Sequence, residues 1–179
     1  MDVLHLRPEQ IIAMVDYPPL HCPEALERYY DRFRADATDI SPIPVMGTDL
    51  ALAYFQRQAG RYASYGQILE AFLAGHPSTT NFMLEGFHRS AAAVLAGKPI
   101  PCVAIAADGD LEEINASGRA INLHGDYTTI TRAMVSVTEE LRELEAHFHR
   151  HRKFWTIEEK VRVMVSNGDV PESVRRMSG

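Results

Sequence analysis

The chain has little thiol chemistry to offer, with two cysteines among 179 residues, and it carries a single tryptophan. Cys22 and Cys102 form no CxxC motif and no metal-pair spacing. A disulfide framework and a thiolate metal site are therefore excluded, and two reduced, partly buried thiols are expected. Long apolar runs are missing too. No window approaches the roughly 18 consecutive apolar residues of a membrane helix, and the opening Met-Asp-Val-Leu-His-Leu-Arg-Pro lacks the basic-then-apolar layout of a signal peptide. A cytoplasmic location with no membrane span is expected. Positive charge is in deficit, with 18 Lys and Arg against 24 Asp and Glu, a net charge of −6 and a pI near 5.7. That balance excludes a general nucleic-acid coat, whose affinity comes from phosphate neutralisation by Lys and Arg, while leaving room for a local basic patch. Internal repeats and low-complexity segments are absent, which excludes solenoid architectures.

What is present is a hydrophobic fraction of 46% and a charged fraction of 23%, enough for one well-packed core. The most informative stretch runs from Asn81 to Ile105. Phe82 and Leu84 alternate with Asn81, Met83 and Glu85, as in a buried strand, and Gly86 breaks the run. His88 to Ala96 are mostly small, strong helix formers, with Gly97 as a stop and Pro99 just beyond it. Pro101 opens a second strand in which Val103 and Ile105 share one face and Cys102 and Ala104 the other. The unit reads strand, glycine turn, helix, strand.

Ionisable residues sit at the turn of that unit. Glu85 ends the strand, and His88 and Arg89 fall in the first helical turn, where free N–H groups and the helix dipole favour an anion. A phosphate suits this place: Gly86 leaves the backbone bare, Arg89 can fork onto phosphate oxygens, and His88 can donate to the same group or move a proton. Glu85 can hold magnesium or act as a general base. The alternative is structural, an i,i+4 pair of Glu85 with Arg89 that only staples the turn.

Glu85-Gly86-Phe87-His88-Arg89, followed by an alanine-rich helix, Ala-Gly and Ile-Pro before a strand, resembles the motif region of the ParB/sulfiredoxin-like superfamily. The close resemblance covers Phe82 to Ile105, with a looser one reaching back to Ile40 through Ile43-Pro44-Val45. It implies an α+β fold: a small mixed sheet packed by helices over residues 1–125, with a C-terminal helical extension over residues 126–179. It also implies nucleotide-phosphate binding by Gly86, Phe87, His88, Arg89 and Ser90, catalytic roles for Glu85, His88 and Arg89, and ATP or another nucleotide with Mg2+ held by Glu85. The departures narrow the choice. Sulfiredoxins carry a catalytic cysteine where this chain has Phe87, which argues against a sulfinic-acid reductase. ParB proteins carry Glu-Arg-Arg where this chain has Phe87-His88-Arg89, and continue into DNA-binding and dimerisation domains for which there is little room. A free-serine kinase branch uses Asp-Gly-x-x-Arg, matched by Glu85 and Arg89. The plasmid fertility-inhibition (Osa-like) branch, associated with ATPase and DNase activity, fits the chain's size best.

Elsewhere the patterns are mostly structural. Pro8 to Val15 reads as a short helix. Leu26, Tyr29, Tyr30 and Phe33 mark an amphipathic helix facing the core, although the tyrosines can also stack on a base. Pro42 and Pro44 predict a short edge strand between Ile40 and Met46. Helices are expected from Thr48 or Asp49 to near Gly60, and from Gly66 to Gly75. Ser78-Thr79-Thr80 is a turn or a phosphate-touching lip. Asp108 and Asp110 are helix caps or metal assistants. Residues from Asp126 to about Lys153 predict the longest helix, with His147 and His151 one turn apart as either a metal pair or a basic helix end. Thr156-Ile-Glu-Glu159 is a capping box. The basic tail through Arg175-Arg176 reads as a docked helical hairpin, or as a loose likeness to a helix-turn-helix that admits DNA contact.

The leading expectation is ATP hydrolysis, or metal-dependent DNase action on the same phosphate chemistry. A small-molecule (amino-acid) kinase is the second reading. A non-catalytic interaction protein, with a protein partner or as a homodimer, is the third.

Overall fold

The computed structural model describes residues 1–13, 22–57, 63–117, 134–151 and 153–177. Among them five strands form one mixed sheet: β1 (Leu4–Leu6), β2 (Ile11–Ile12), β3 (Ile43–Gly47), β4 (Asn81–Met83) and β5 (Ile100–Ile105). Their order is β1-β5-β3-β4-β2. β3 runs parallel to β5 and antiparallel to β4, β2 is parallel to β4, and β1 closes the far edge antiparallel to β5. The helices are α1 (Pro23–Arg34), α2 (Thr48–Arg57), α3 (Ala63–Gly75), α4 (Phe87–Leu95), α5 (Asp108–Ser117), α6 (Val137–His151), α7 (Ile157–Asn167) and α8 (Glu172–Met177). The α+β class expected from the sequence is the class observed.

Period-two alternation sorts the strand side chains onto two faces. Ile11, Ile43, Val45, Met83, Ile100 and Cys102 face one core, completed by Leu26, Tyr30 and Phe33 of α1, the alanines of α4, and Ile157, Val161 and Met164 of α7. Ile12, Met46, Phe82, Val103 and Ile105 face the other, with Ala51 and Phe55 of α2, Leu69 of α3, Leu111 and Ile114 of α5, and Leu141 and Leu144 of α6. The sheet is thus covered on both sides, and the C-terminal helices contribute to both cores. α8 docks by burying Val174, with Val170 buried just before it, and Ser173 bonds Glu27 of α1.

Four sequence expectations are corrected. Residues from Pro8 form a 3-10 turn, Pro8–Gln10, and then enter the sheet as β2. Ile11 and Ile12 are both fully buried because opposite faces of the sheet need them, which overrides the helical spacing; Met14 and Val15 lie outside the described residues. β3 is not an edge strand but lies between β5 and β4. Pro44 lacks a donor, yet its carbonyl accepts the Leu84 N–H at 3.0 Å, and complete burial of Ile43, Val45 and Met46 outweighs the missing rung. The long helix begins at Val137. Met134 precedes it as a buried coil residue whose carbonyl accepts from Asn115 Nδ2 at 3.0 Å, and residues 126–133 lie outside the described ones. α3 starts at Ala63, so Gly66 sits inside it, its vacant Cβ position 3.5 Å from Gln56 Cγ.

Candidate functional site

The strand–turn–helix unit is in place. β4 ends at Met83, Gly86 adopts φ 102° and ψ 33°, and α4 begins at Phe87. The left-handed conformation demands glycine. Packing demands it as well, since a Cβ at this position would lie 2.2 Å from Ile43 Cγ2 and 2.9 Å from Ile43 Cβ. The direction that the sequence reading left open for a ligand is therefore filled by β3.

Arg89 turns inward. It is 5% exposed, its Nη1 donates to Ser41 O at 2.9 Å and Pro42 O at 3.1 Å, and its Nη2 donates to Glu85 Oε2 at 2.9 Å. The i,i+4 pair allowed by the spacing is formed, with the Glu85 side chain 34% exposed. Ser41 and Pro42 also line a groove of ≈ 730 Å³ beside β1, whose walls include none of residues 85–90. Ser90 is fully buried, its Oγ 3.0 Å from Phe87 O. His88 is buried with its ring edge-on to Phe87, centroids 6.0 Å apart.

What faces the mouth of the turn is thus backbone, Glu85 and Phe87. Gly86 supplies no side-chain cap, and the first-turn N–H groups of a helix have no intrahelical acceptor, so the positive end of the α4 dipole lies at this turn. One group that the local sequence does not mark packs against Phe87. Lys160 of α7 is 4% exposed and its Nζ lies 4.1 Å from the centroid of the Phe87 ring. Nothing local marks it, because it lies 73 residues from Phe87 along the chain, and only the packing of α7 on α4 brings it there.

Other candidates resolve as structure. Thr79 is buried and its hydroxyl donates to Glu9 O at 2.7 Å, so the Ser78–Thr80 segment is a tied turn. Asp110 Oδ2 accepts from the N–H groups of Ala106 at 2.8 Å and Ala107 at 2.9 Å, and these two bonds hold its carboxyl below the usual range. Asp108 Oδ1 accepts from Val137 N at 2.7 Å, capping a helix 29 residues away. Tyr29 and Tyr30 belong to the core. The side chains of His147, His151 and Arg176 lie outside the described residues. Among the described residues no group of three or more His, Cys, Asp or Glu is arranged to hold a metal, and no helix is long and apolar enough to cross a membrane.

No family model, curated protein or solved structure matches this chain.

Proposed function

We propose that the chain binds a phosphorylated nucleotide at the Gly86 turn and hydrolyses it, with ATP as the first substrate and a DNA phosphodiester as the second. The observation that carries this reading is the start of α4, to which Gly86 gives no side-chain cap, with the Lys160 ammonium packed 4.1 Å from the ring centroid of its first residue, Phe87. The resemblance of Glu85-Gly86-Phe87-His88-Arg89 to the ParB/sulfiredoxin-like motif supports it.

The roles follow the geometry. The N–H groups of Phe87 and His88 orient the phosphate, and Lys160 neutralises charge that develops on its oxygens. Arg89, tied to Glu85, Ser41 and Pro42, is a positioning residue that fixes the carboxylate at the rim. Magnesium is commonly held by one or two carboxylates together with the phosphate oxygens of the substrate. One partly exposed carboxylate, Glu85, fits that pattern as the single protein ligand. Bound there, the ion would offset phosphate charge; the chain's own part is to hold Glu85 in register and to orient the nucleotide.

A second reading has its own observation. The Arg89 guanidinium bonds Ser41 O, Pro42 O and Glu85, all internal partners, as in a turn that serves the fold alone and leaves the protein a non-catalytic interaction module. Nucleoside diphosphate formation measured on a panel of nucleotides with magnesium, with and without small alcohols, together with strand scission of added DNA, separates the two. Turnover that falls in Glu85→Gln supports hydrolysis, diphosphate formation accelerated by an alcohol without matching phosphate release redirects it to phosphotransfer, and no turnover of any substrate supports the interaction module.

A further inference from the structure

His76 and Glu159 meet across 83 residues of sequence at a place unconnected with the motif. His76 directly follows Gly75, the last residue of α3, and its ring stacks on Phe72 with centroids 4.1 Å apart and planes 16° from parallel. Both ring nitrogens face acceptors: Nδ1 is 2.9 Å from Phe72 O and Nε2 is 3.2 Å from Glu159 Oε1. A neutral imidazole carries one N–H and can satisfy only one of these contacts, whereas the imidazolium donates to both. The C-terminal end of α3 favours the same cation.

Glu159 has a second task. It is the third residue of α7, where Thr156 Oγ1 accepts the Glu159 N–H at 3.1 Å and Glu159 Oε2 accepts the Thr156 N–H at 2.9 Å. One carboxylate therefore caps α7 and receives His76. The segment before α7 is anchored to β2 as well, through the Ala13 N–H to Trp155 O bond at 2.8 Å.

We propose that this pair is a protonation latch: charged His76 ties the first turn of α7 to the end of α3 through both ring nitrogens, and loss of its proton leaves only one of the two bonds and loosens that tie. The inference stands whether or not the Gly86 turn binds a nucleotide. Its reach includes that turn, because Lys160, the residue after Glu159, is the one packed over Phe87.

The charged surroundings leave the pair to itself. Lys153 lines the same ≈ 340 Å³ cavity, but its ammonium sits 3.6 Å above the Trp155 ring. On the neighbouring helices Glu70 bonds Gln56 and Glu145 bonds Tyr54. The bond to Phe72 O, opposed by desolvation and helped by Glu159, raises the His76 pKa above its ordinary 6.5. Desolvation is the largest influence on Glu159 and raises its pKa, but the Thr156 N–H and His76 together outweigh it and bring the pKa below the ordinary 4.5. The His76 contribution is complete below 6.5 and is lost as pH rises through the raised folded value. That of Glu159 is complete above 4.5 and is lost as pH falls through the lowered one. The latch is closed between the two and opens on the alkaline side.

Trp155, the single tryptophan, lines the cavity with His76 and Glu159 and reports on the latch directly. In the full chain its emission, followed from about pH 5 to about pH 9, should show one transition centred above the ordinary imidazole value. His76→Gln should abolish that transition, and Glu159→Gln should move it to lower pH. A flat profile, a transition that persists in His76→Gln, or a midpoint at or below the ordinary value would overturn the proposal. Should His76→Gln fail to fold, Glu159→Gln and the NMR titration of the His76 ring protons decide the matter by the same shift.

Discussion

Ile43 fills the space that a side chain at Gly86 would need: a Cβ built there would lie 2.2 Å from Ile43 Cγ2. This contact joins the turn to the central strand of the sheet and explains the glycine without any ligand. Gly86→Ala must both accept a positive φ and displace β3. A loss of about 2–4 kcal/mol is expected, the sum of left-handed strain and overpacking, to be read from urea unfolding midpoints. A variant as stable as the wild type would show that β3 and the turn are not in contact.

Arg89 is the second tie between the turn and β3. Removing its guanidinium leaves Ser41 O and Pro42 O without their donor and a space where the stem was. Arg89→Ala should cost about 2–4 kcal/mol, because buried acceptors lose a charged partner. Glu85→Gln should cost about 1 kcal/mol or less, since its carboxylate is one-third exposed and its ion pair is screened by water. Equal losses in the two variants, measured by denaturant unfolding, would contradict the assignment of Arg89 as the clamp.

The two cysteines differ in environment. Cys102 is fully buried in β5 and burial pushes its thiol up to about 12, while Cys22 is half-buried at the start of α1. Since the thiolate is the reacting form, a thiol reagent near neutral pH should label Cys22 on the native chain and reach Cys102 only after unfolding. Rapid modification of both on the native chain would place β5 outside the core.

Much of this was legible where local chemistry decides. The Thr156–Glu159 capping box, the amphipathic face of α1, the Gly86 turn and the alternation of β5 were all read from neighbouring residues, and each depends on neighbours alone. Long-range partners were not. Pro44 reads as an edge residue until Leu84, just past β4, offers its N–H to the Pro44 carbonyl; Ile11 and Ile12 look helical until two cores claim them. Asp108 looks like the cap of its own helix, yet it caps α6. At the site, spacing allowed both a phosphate ligand and a staple for Arg89, and only the positions of Ser41 and Pro42 show where its guanidinium is engaged. Lys160 carries no local signal at all.

Nucleotide binding at the Gly86 turn is the central claim, and Lys160 gives the cleanest access to it. Lys160→Met keeps the length and packing of the side chain while removing its charge, a change that buried sites commonly tolerate. Titration calorimetry with ATP and magnesium on the wild type and on Lys160→Met is therefore the direct test. Saturable binding to the wild type that weakens about tenfold or more in the variant, as the loss of one charged hydrogen bond implies, is the expected result. No binding to the wild type, or equal binding to both, would contradict the site.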